Sequence, residues 1–459
     1  MKQKNYLLLA VSFVFNNSTA FAKLLLASFI FGFSIGKTNV KETRIWSVIN
    51  APTFIRTILV VLIALFNLES YSQTFEPFTP PRFNQELKGN MLLIGNNILG
   101  KDNNPLNNNS ITNEDISMKY IDIDGDATTF NSSSADLAIP NAACSKIIYA
   151  GLYWGAILQS GSRTTINKIK LKLPGGAYND ITGSVIYDAI ASPINALTGE
   201  PKNTPYVCYA DVTALISGLS TAQGTYTVAN VISNEGTNNS TGLSAGWNLF
   251  IVYEDPNLPS KSITSFDGFS SIYDDKTLSI TISGFITPPS GLVNVEYAFA
   301  GLEGDKTEVG SKTEINGKAI VTPERPSNRF FNSTINSLTG YFTQRNPNGS
   351  NTLGFDAGIF NIPNPNQSVV GNSVTSAKVT LQVAKGQADP FFAYFNAFAV
   401  DVIEPEIALT KVVKNSSGVD INNQYVVIGQ NLYYEIGFKN IGNDNATNLV
   451  IKDVLPDNI

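Results

Sequence analysis

The chain has 459 residues, of which 43% are hydrophobic and 15% are charged, and its formal net charge is −6. This negative charge excludes a conventional nucleic-acid binder, which needs a basic surface to displace counterions. With no histidine and two cysteines, the sequence also excludes Ser-His-Asp and Cys-His catalysis and the usual zinc sites.

Residues 1–73 have the features of an export signal region. Three apolar runs, 6–15, 24–36 and 57–66, are each shorter than the ~18 residues that span a bilayer. The third run leads to Ser70-Tyr71-Ser72 before Gln73, a small-x-small processing motif. We predict cleavage near Gln73, with the preceding segment as an extension from a wrongly assigned start. The alternative is a retained N-terminal membrane anchor.

Residues 74–403 predict an all-β head, either a jelly roll or a β-sandwich. Ile169, Leu171 and Leu173 alternate with lysines, which places one strand face on a core and the other in solvent. The continuous apolar runs 147–154 and 249–253 predict central strands covered on both faces. A split into two subdomains near 285–292 and a single sandwich both stay open.

Residues 404–459 form a separate β-rich segment after the boundary Glu404-Pro405-Glu406. Its motifs, in chain order, are Leu409-Thr410-Lys411, the run 434–438, Asn440-Ile441-Gly442, Ala446-Thr447-Asn448 and Asp453-Val454-Leu455-Pro456. In this order they resemble the immunoglobulin-like "conserved repeat domain" of bacterial surface proteins, a domain of unknown function. Because such a sandwich needs about 100 residues, we expect an incomplete domain here.

Several motifs of the larger region resemble the N-terminal β-rich domain that often precedes such repeats in secreted bacterial proteins. They are the runs 129–134 and 150–154, Asp211-Val212-Thr213, Gly246-Trp247 and the run 266–269. The resemblance implies extracellular or cell-surface residence, possession of repeated domains and adhesion. In Gram-negative relatives such chains commonly end in a secretion-sorting domain.

The best candidate metal site is a run of alternating acids, Asp122, Asp124 and Asp126, followed by Asn131. Alternating carboxylates around a glycine suit calcium, which takes six to eight oxygen ligands. The run lacks the Gly and Glu that an EF-hand has at its sixth and twelfth positions. Calcium is the one cofactor that the sequence predicts, and the alternative is a polar turn at a strand end.

Export favours an oxidising compartment, in which Cys144 and Cys208 could form a disulfide. Both lie in the head beside apolar runs. The alternative is a pair of buried free thiols, which behave as small hydrophobes.

Two pairs of acids, Glu303 with Asp305 and Glu254 with Asp255, are the best candidates for glycoside hydrolysis, which needs two carboxyl groups across a groove. Aromatic residues that could stack on sugars, or pack in the core instead, are Tyr153, Trp154, Trp247 and Tyr253. Lys411 could join an isopeptide bond, although a simple exposed lysine is the favoured interpretation.

The sequence therefore predicts an exported bacterial surface or secreted protein, adhesin-like or structural, and not an enzyme. Loops of its sandwiches would bind an extracellular glycan or protein, with no nucleic-acid partner and membrane contact only through the signal or anchor segment. The alternative is a carbohydrate-binding or glycan-cleaving module. Exposure of Trp154 or Trp247 beside Glu303 and Asp305 would favour this alternative, whereas closed packing of the two rings would favour the first prediction.

Overall fold

A computed structural model describes residues 73–191, 204–237, 242–387, 390–405, 407–442, 446 and 448–454. Apart from Gln73, the predicted signal region lies outside the described residues. No helix within these ranges is both long and apolar enough to cross a membrane.

The described residues confirm the all-β prediction. In chain order the strands are β1 (Gln73–Glu76), β2 (Phe83–Asn97), β3 (Leu99–Gly100), β4 (Lys119–Tyr120), β5 (Ser132–Leu137), β6 (Lys146–Ile157), β7 (Lys168–Lys172), β8 (Tyr178–Thr182), β9 (Ser184–Asp188), β10 (Pro205–Asp211), β11 (Gly224–Ala229), β12 (Ala245–Glu254), β13 (Ser260–Ile272), β14 (Thr277–Ser283), β15 (Val295–Gly304), β16 (Ser311–Ile315), β17 (Lys318–Ala319), β18 (Ile335–Ser337), β19 (Gly340–Tyr341), β20 (Arg345–Asn346), β21 (Gly354–Ile362), β22 (Ser376–Val383), β23 (Phe391–Asp401), β24 (Ile407–Lys414) and β25 (Tyr433–Asn440). A short helix α1 (Thr213–Ser217) and a 3-10 turn (Pro365–Gln367) complete the described elements.

The largest sheet folds over on itself at β2. Residues 83–88 of β2 pair with β13, and residues 89–97 pair with β12. Phe269 of β13 stacks on Tyr187 of β9, with ring centroids 4.0 Å apart, although β2, β12, β6 and β10 separate these strands within the sheet. The sheet therefore consists of two facing halves. We name β2-β12-β6-β10-β9 the first inner sheet, and β13-β23-β15-β21-β18-β19, with β1 on β13, the second inner sheet.

Each inner sheet carries an outer sheet on its other face. The order β20-β5-β11-β7-β8 covers the first inner sheet, and Trp247 Nε1 donates to Ser133 Oγ across that contact at 2.9 Å. The order β14-β22-β16-β17 covers the second inner sheet, where Leu278 and Leu381 join Phe299 in one buried cluster. The result is a stack of four β layers.

Side-chain size alternates along β15. Tyr297 and Phe299 belong to the core under the outer sheet, whereas Ala298 and Ala300 face the first inner sheet. Successive strand residues point to opposite faces, so this strand has one bulky face and one small face. The neighbouring β23 instead contributes the large ring of Phe395 to the cluster between the inner sheets.

The structure places segment 285–292 between two strands that line the same core, since Phe285 and Val293 belong to one cluster. The described part of the chain has two buried hydrophobic clusters, and they lie on opposite faces of the second inner sheet. Beyond β23, the strands β24 and β25 form an antiparallel pair with Leu409 opposite Phe438.

Candidate functional site

Four polar segments meet at one end of the inner sheets, and we call residues 101–117, 303–310, 326–334 and 342–353 the loop cluster. Asn351 Nδ2 donates to the carbonyls of Asn108 at 2.9 Å and Ile111 at 2.8 Å, which joins the first and last segments. Ser333 Oγ donates to the Gly304 carbonyl at 2.6 Å, which joins the middle two. These bonds join the four segments in two pairs, and a hydrogen bond from Lys306 to the Ser350 carbonyl connects the pairs.

Glu303 lies at the centre of this cluster. It follows Leu302 at an irregularity in the pairing of β15 with β21 and has a φ of 68°, a left-handed conformation that costs a non-glycine residue energy. Its side chain is buried, and Ser244 Oγ donates to its Oε1 at 2.8 Å. Because Ser244 precedes β12, this hydrogen bond joins the two inner sheets.

Burial controls the ionisation of Glu303. It raises the pKa of the carboxyl to about 8, and the charge of Glu114 raises it further against the opposing hydrogen bonds from Ser244 and Asn113. A buried carboxylate loses hydration that the protein must replace. Glu303 is therefore a neutral carboxylic acid at neutral pH and can donate a proton.

Lys306 brings a second group that titrates near neutrality. Burial, and then the charge of Arg325, lowers the pKa of this amine to about 8, against the opposing attraction of Asp356. Its Nζ donates to Thr334 Oγ1 at 2.7 Å and to the Ser350 carbonyl at 2.9 Å. Lys306 therefore ties three segments of the loop cluster together.

A buried ion pair fixes the segment 326–334. Arg325 Nη1 lies 2.7 Å from Asp356 Oδ1, and both side chains are fully buried. The same carboxylate accepts the backbone N–H groups of Asn332 at 3.1 Å, Ser333 at 2.9 Å and Thr334 at 3.2 Å. A buried charge pair with its remaining lone pairs satisfied meets the conditions under which such pairs are tolerated.

Arg345 organises the last segment of the cluster through backbone carbonyls. Its Nη1 donates to the Pro347 carbonyl at 2.8 Å and to Asn96 Oδ1 at 2.7 Å, and its Nε donates to the Phe342 carbonyl at 2.8 Å. Burial lowers the pKa of this guanidinium to about 9. The segment 342–349 is thus wrapped around one buried cation.

The structure separates the two predicted acid pairs. Glu303 and Asp305 lie in the loop cluster, whereas Glu254 and Asp255 lie at the far end of β12. Asp255 there accepts a hydrogen bond from Asn141 Nδ2 at 3.0 Å. Only the first pair therefore belongs to the candidate site.

The aromatic residues form no exposed platform. Trp154 and Trp247 are both 0% exposed, and Tyr153 and Tyr253 are also buried. The Trp154 indole N–H donates to the Ile166 carbonyl at 2.8 Å, within the contact between the first inner sheet and its outer sheet. Both indoles are therefore closed off from solvent and are not exposed beside Glu303 and Asp305.

The predicted calcium ligands do not form one set. Asn131 is buried and uses both ends of its amide on Val231, donating to the carbonyl at 2.7 Å and accepting from the N–H at 3.1 Å. Within the described ranges, no three acidic, cysteine or histidine side chains converge as metal ligands. The Asn131 amide thus serves as a backbone brace, and calcium at Asp122, Asp124, Asp126 and Asn131 stays a prediction.

The three aspartates make local hydrogen bonds. Asp122 accepts from Ser132 Oγ at 2.9 Å, and Asp126 accepts from the Thr128 backbone N–H at 2.8 Å. Burial opposes ionisation of Asp124, but several hydrogen bonds, of which that from the Tyr178 hydroxyl is the largest, together outweigh burial and lower the pKa of the carboxyl. These contacts fit the polar-turn alternative.

The predicted disulfide between Cys144 and Cys208 does not form, and both residues are free thiols. Cys144 is exposed in the turn before β6, whereas Cys208 is buried on β10. The Cys208 thiol lies in the same buried cluster as Ile166, and its Sγ is 3.6 Å from the Ile166 carbonyl. Burial raises the pKa of this thiol, so it behaves as a small hydrophobe.

Sequence reasoning missed Lys306, Arg325 and Arg345. The available signal was weak: Arg325 directly precedes Pro326, and Arg345 precedes Asn346-Pro347, so both sit beside turn residues in a chain with few charges. Burial of a basic residue in a turn depends on the segments that pack around it. Local sequence does not contain that information.

Comparison with known proteins gives no family. No protein-family model matches the sequence, and no curated protein matches it. Three solved structures each cover 68% of this chain. N-glycanase F (PNGase F) is 10% identical with 95% of its own length covered and a TM-score of 0.18, the ANX2 ectodomain of Arabidopsis thaliana is 7% identical with 97% covered and a TM-score of 0.20, and the major capsid protein P2 of bacteriophage PM2 is 10% identical with 98% covered and a TM-score of 0.16. At these TM-scores the likenesses carry no argument.

Proposed function

We propose that this chain is an exported bacterial surface or secreted protein that binds an extracellular glycan or protein through the loop cluster. The observation that carries the proposal is the contrast between the buried aromatic residues and the polar loops of the loop cluster. The large aromatic side chains are sealed between sheets, whereas polar loops converge at one end and are braced from within by Glu303, Lys306, Arg325 and Arg345.

Bracing of this kind suits a binding surface. Loops positioned by a rigid scaffold carry function in many β proteins, because the scaffold removes the entropic cost of ordering them on binding. The exposed rim of the cluster contains a run of asparagines, 107–109. Asparagine offers both donors and acceptors to hydroxyl groups and peptide groups. In this proposal the four layers act as a display scaffold.

The proposed location depends on the resemblance and on the signal features of residues 1–73. An adhesin-like role follows from the same resemblance, and a purely structural role differs only in lacking a specific ligand. Mass spectrometry of the mature protein tests the location: a new N-terminus near Gln73 on protein recovered from the medium or the cell surface supports it. Retention of the full chain in the cytoplasm contradicts it.

The binding proposal is tested by replacing one exposed loop residue at each end of the scaffold. Asn109 is exposed on the loop cluster, and Ser290 is exposed at the opposite end of the inner sheets. We expect Asn109→Arg to weaken capture of the full chain on a glycan array, or on immobilised matrix proteins, by about tenfold or more, which equals about 1.4 kcal/mol. The matched variant Ser290→Arg should bind as the wild type does.

The same arrays are measured with and without added calcium, which tests the predicted Asp122–Asp126 site at the same time. Equal loss of binding in both variants, or no loss in either, contradicts a ligand site at the loop cluster. Binding that requires calcium and is lost in Asp124→Asn would instead place a metal in the function.

One observation favours the alternative of a glycan-cleaving module. Glu303 is protonated at neutral pH, as a general acid of a glycoside hydrolase must be. However, its side chain is 2% exposed and is covered by the segment that contains Asn113. A substrate could reach it only after that segment moved, so we place catalysis second.

A further inference from the structure

Three polar side chains from three strands meet where the large sheet folds over. Lys261 comes from β13, Glu296 comes from β15, and Asn90 comes from β2, just after β2 changes its pairing partner. Lys261 Nζ donates to Glu296 Oε1 at 2.6 Å, and Asn90 Nδ2 donates to the same oxygen at 2.8 Å. An amine and a carboxamide are therefore in contact with one carboxyl oxygen.

This triad is enclosed by the two inner sheets. Lys261 and Glu296 are 6% and 4% exposed, and Asn90 is half-buried. A buried ion pair needs further hydrogen bonds to offset its desolvation, yet Glu296 Oε2 has no partner among the described residues. Transfer of one proton from Lys261 to Glu296 along their hydrogen bond removes both charges. It leaves a neutral amine, which is the nucleophilic form of lysine, beside a neutral acid.

A second acid lies near Lys261 without taking part in the triad. Asp401 is opposite Lys261 in the pairing of β13 with β23. Its Oδ2 accepts the backbone N–H of Asn294 at 2.9 Å and the Asn294 side-chain amide at 2.7 Å. Lys261 Nζ is instead directed at Glu296, the acid that also contacts Asn90.

The carboxamide of Asn90 is held as an electrophile. The backbone N–H of Met91 donates to Asn90 Oδ1 at 2.9 Å, and Met91 is fully buried. A backbone N–H directed at a carbonyl oxygen stabilises the negative charge that develops there when a nucleophile attacks the carbonyl carbon. The Nδ2 end of the same amide faces Glu296, which can supply a proton to it. The site therefore has a nucleophile, an oxyanion donor and an acid for the leaving nitrogen.

We propose that Lys261 and Asn90 form an intramolecular amide cross-link, with Glu296 as the proton carrier. Lys261 Nζ forms a bond to Asn90 Cγ, the bond between Cγ and Nδ2 breaks, and Nδ2 leaves as ammonia. The neutral Glu296 acid gives its proton to the leaving nitrogen and takes one from the attacking amine, so it ends as it began. The reaction needs no oxidant and no co-reactant.

The position of this bond gives it a structural role in the scaffold, separate from ligand binding. Residues 83–88 of β2 pair with β13 and residues 89–97 pair with β12, so the link fixes the point at which the sheet folds over. The sequence candidate for such a bond, Lys411, has a side chain that is 40% exposed and pairs with Asp453 at 2.7 Å. Lys411 therefore lacks the enclosed setting of Lys261.

Peptide mapping of the full-length wild type tests the cross-link. We expect trypsin to leave Lys261 uncleaved, because an acylated lysine carries no charge. Tandem mass spectrometry should find Lys261 joined to the peptide 89–101 with the loss of one ammonia. The linked peptide itself must be identified, because cyclisation of an N-terminal Gln73 loses the same mass. Absence of the linked peptide from the folded wild type overturns the proposal, whether or not any variant folds.

Three variants test the assigned roles. Glu296→Gln keeps the size of the side chain but has no carboxyl proton to transfer, and should slow formation of the link by about a hundredfold or more. Lys261→Arg should abolish the link. On a denaturing gel the wild type should migrate faster than either variant, because the link closes a loop in the unfolded chain. The matched control Lys411→Arg replaces an exposed lysine and should form the link as the wild type does.

Two results would overturn parts of this mechanism. An equal yield of linked peptide from Glu296→Gln and the wild type overturns the role of Glu296 as proton carrier. A bond from Lys261 to Glu296, recognised by the loss of water instead of ammonia, overturns the assignment of Asn90 as the partner.

Discussion

Individual buried charges hold the loop cluster together, and each is satisfied in a different way. Arg325 has a carboxylate partner, Asp356, whereas Arg345 has amide and carbonyl oxygens. The buried carboxyl of Glu303 retains its proton at neutral pH and therefore carries no charge. Each of the three arrangements reduces the cost of placing an ionisable group out of water.

We expect the buried Arg325–Asp356 pair to contribute strongly to the stability of the fold. Asp356→Asn should lower the free energy of unfolding by about 3–5 kcal/mol, because it leaves a buried guanidinium without its counter-charge. Urea denaturation measures the change. The control is Asp180→Asn, which breaks an exposed pair with Lys170 and should change stability by less than about 1 kcal/mol. A loss in Asp356→Asn no larger than in the control would contradict the assigned role of the pair.

Sequence reasoning reached these residues unevenly. It identified Glu303 and Asp305 because two acids one residue apart are visible in a chain with few charges, but it could not give their burial. The Cys144–Cys208 disulfide was inferred from the compartment, but Cys208 is buried in the core whereas Cys144 is exposed in a turn, and both are free thiols. The role of Asn131 was missed because its amide serves Val231, 100 residues away in the chain.

The strands were more predictable than the contacts between them. The alternating lysines of β7 and the continuous apolar run of β6 predicted a half-buried and a fully covered strand, and both are confirmed. What the pattern did not predict is the double pairing of β2. Residues 83–97 contain no proline to mark a break, yet they serve both inner sheets. Pairing partners are set by distant segments, so local periodicity does not reveal them.

The second strand-level feature is the two-faced β15, which predicts unequal tolerance of substitution. Ala300→Leu inserts three carbons between the inner sheets and should destabilise the protein by about 1–3 kcal/mol through overpacking. Thermal or urea unfolding measures this loss. Ala319 on β17 is exposed, so Ala319→Leu should stay within about 0.5 kcal/mol of the wild type. Equal effects of the two substitutions would show that the inner sheets are not closely packed at Ala300.

At the scale of the whole molecule, the four layers explain why aromatic residues and polar loops are segregated. Three stacked contacts between sheets bury the rings, and polar bonds such as Tyr394 to Asn248 at 2.8 Å add specificity between the inner sheets. The composition predicted β layers but not their number, because the number of layers depends on which strand faces pack against another sheet. Ala298 and Ala300 indicate a contact between two sheets only once β15 is known to lie in an inner sheet of the stack.

The proposed function requires that loops on a closed scaffold bind a ligand and that no reactive centre turns this ligand over. The most direct test incubates the full-length wild type and Glu303→Gln with every glycan of the array used for binding, and then measures the glycan masses. We predict that both proteins leave all masses unchanged, including those of the glycans they capture. Cleavage of any glycan by the wild type, lost in Glu303→Gln, would contradict the account and establish Glu303 as a catalytic acid.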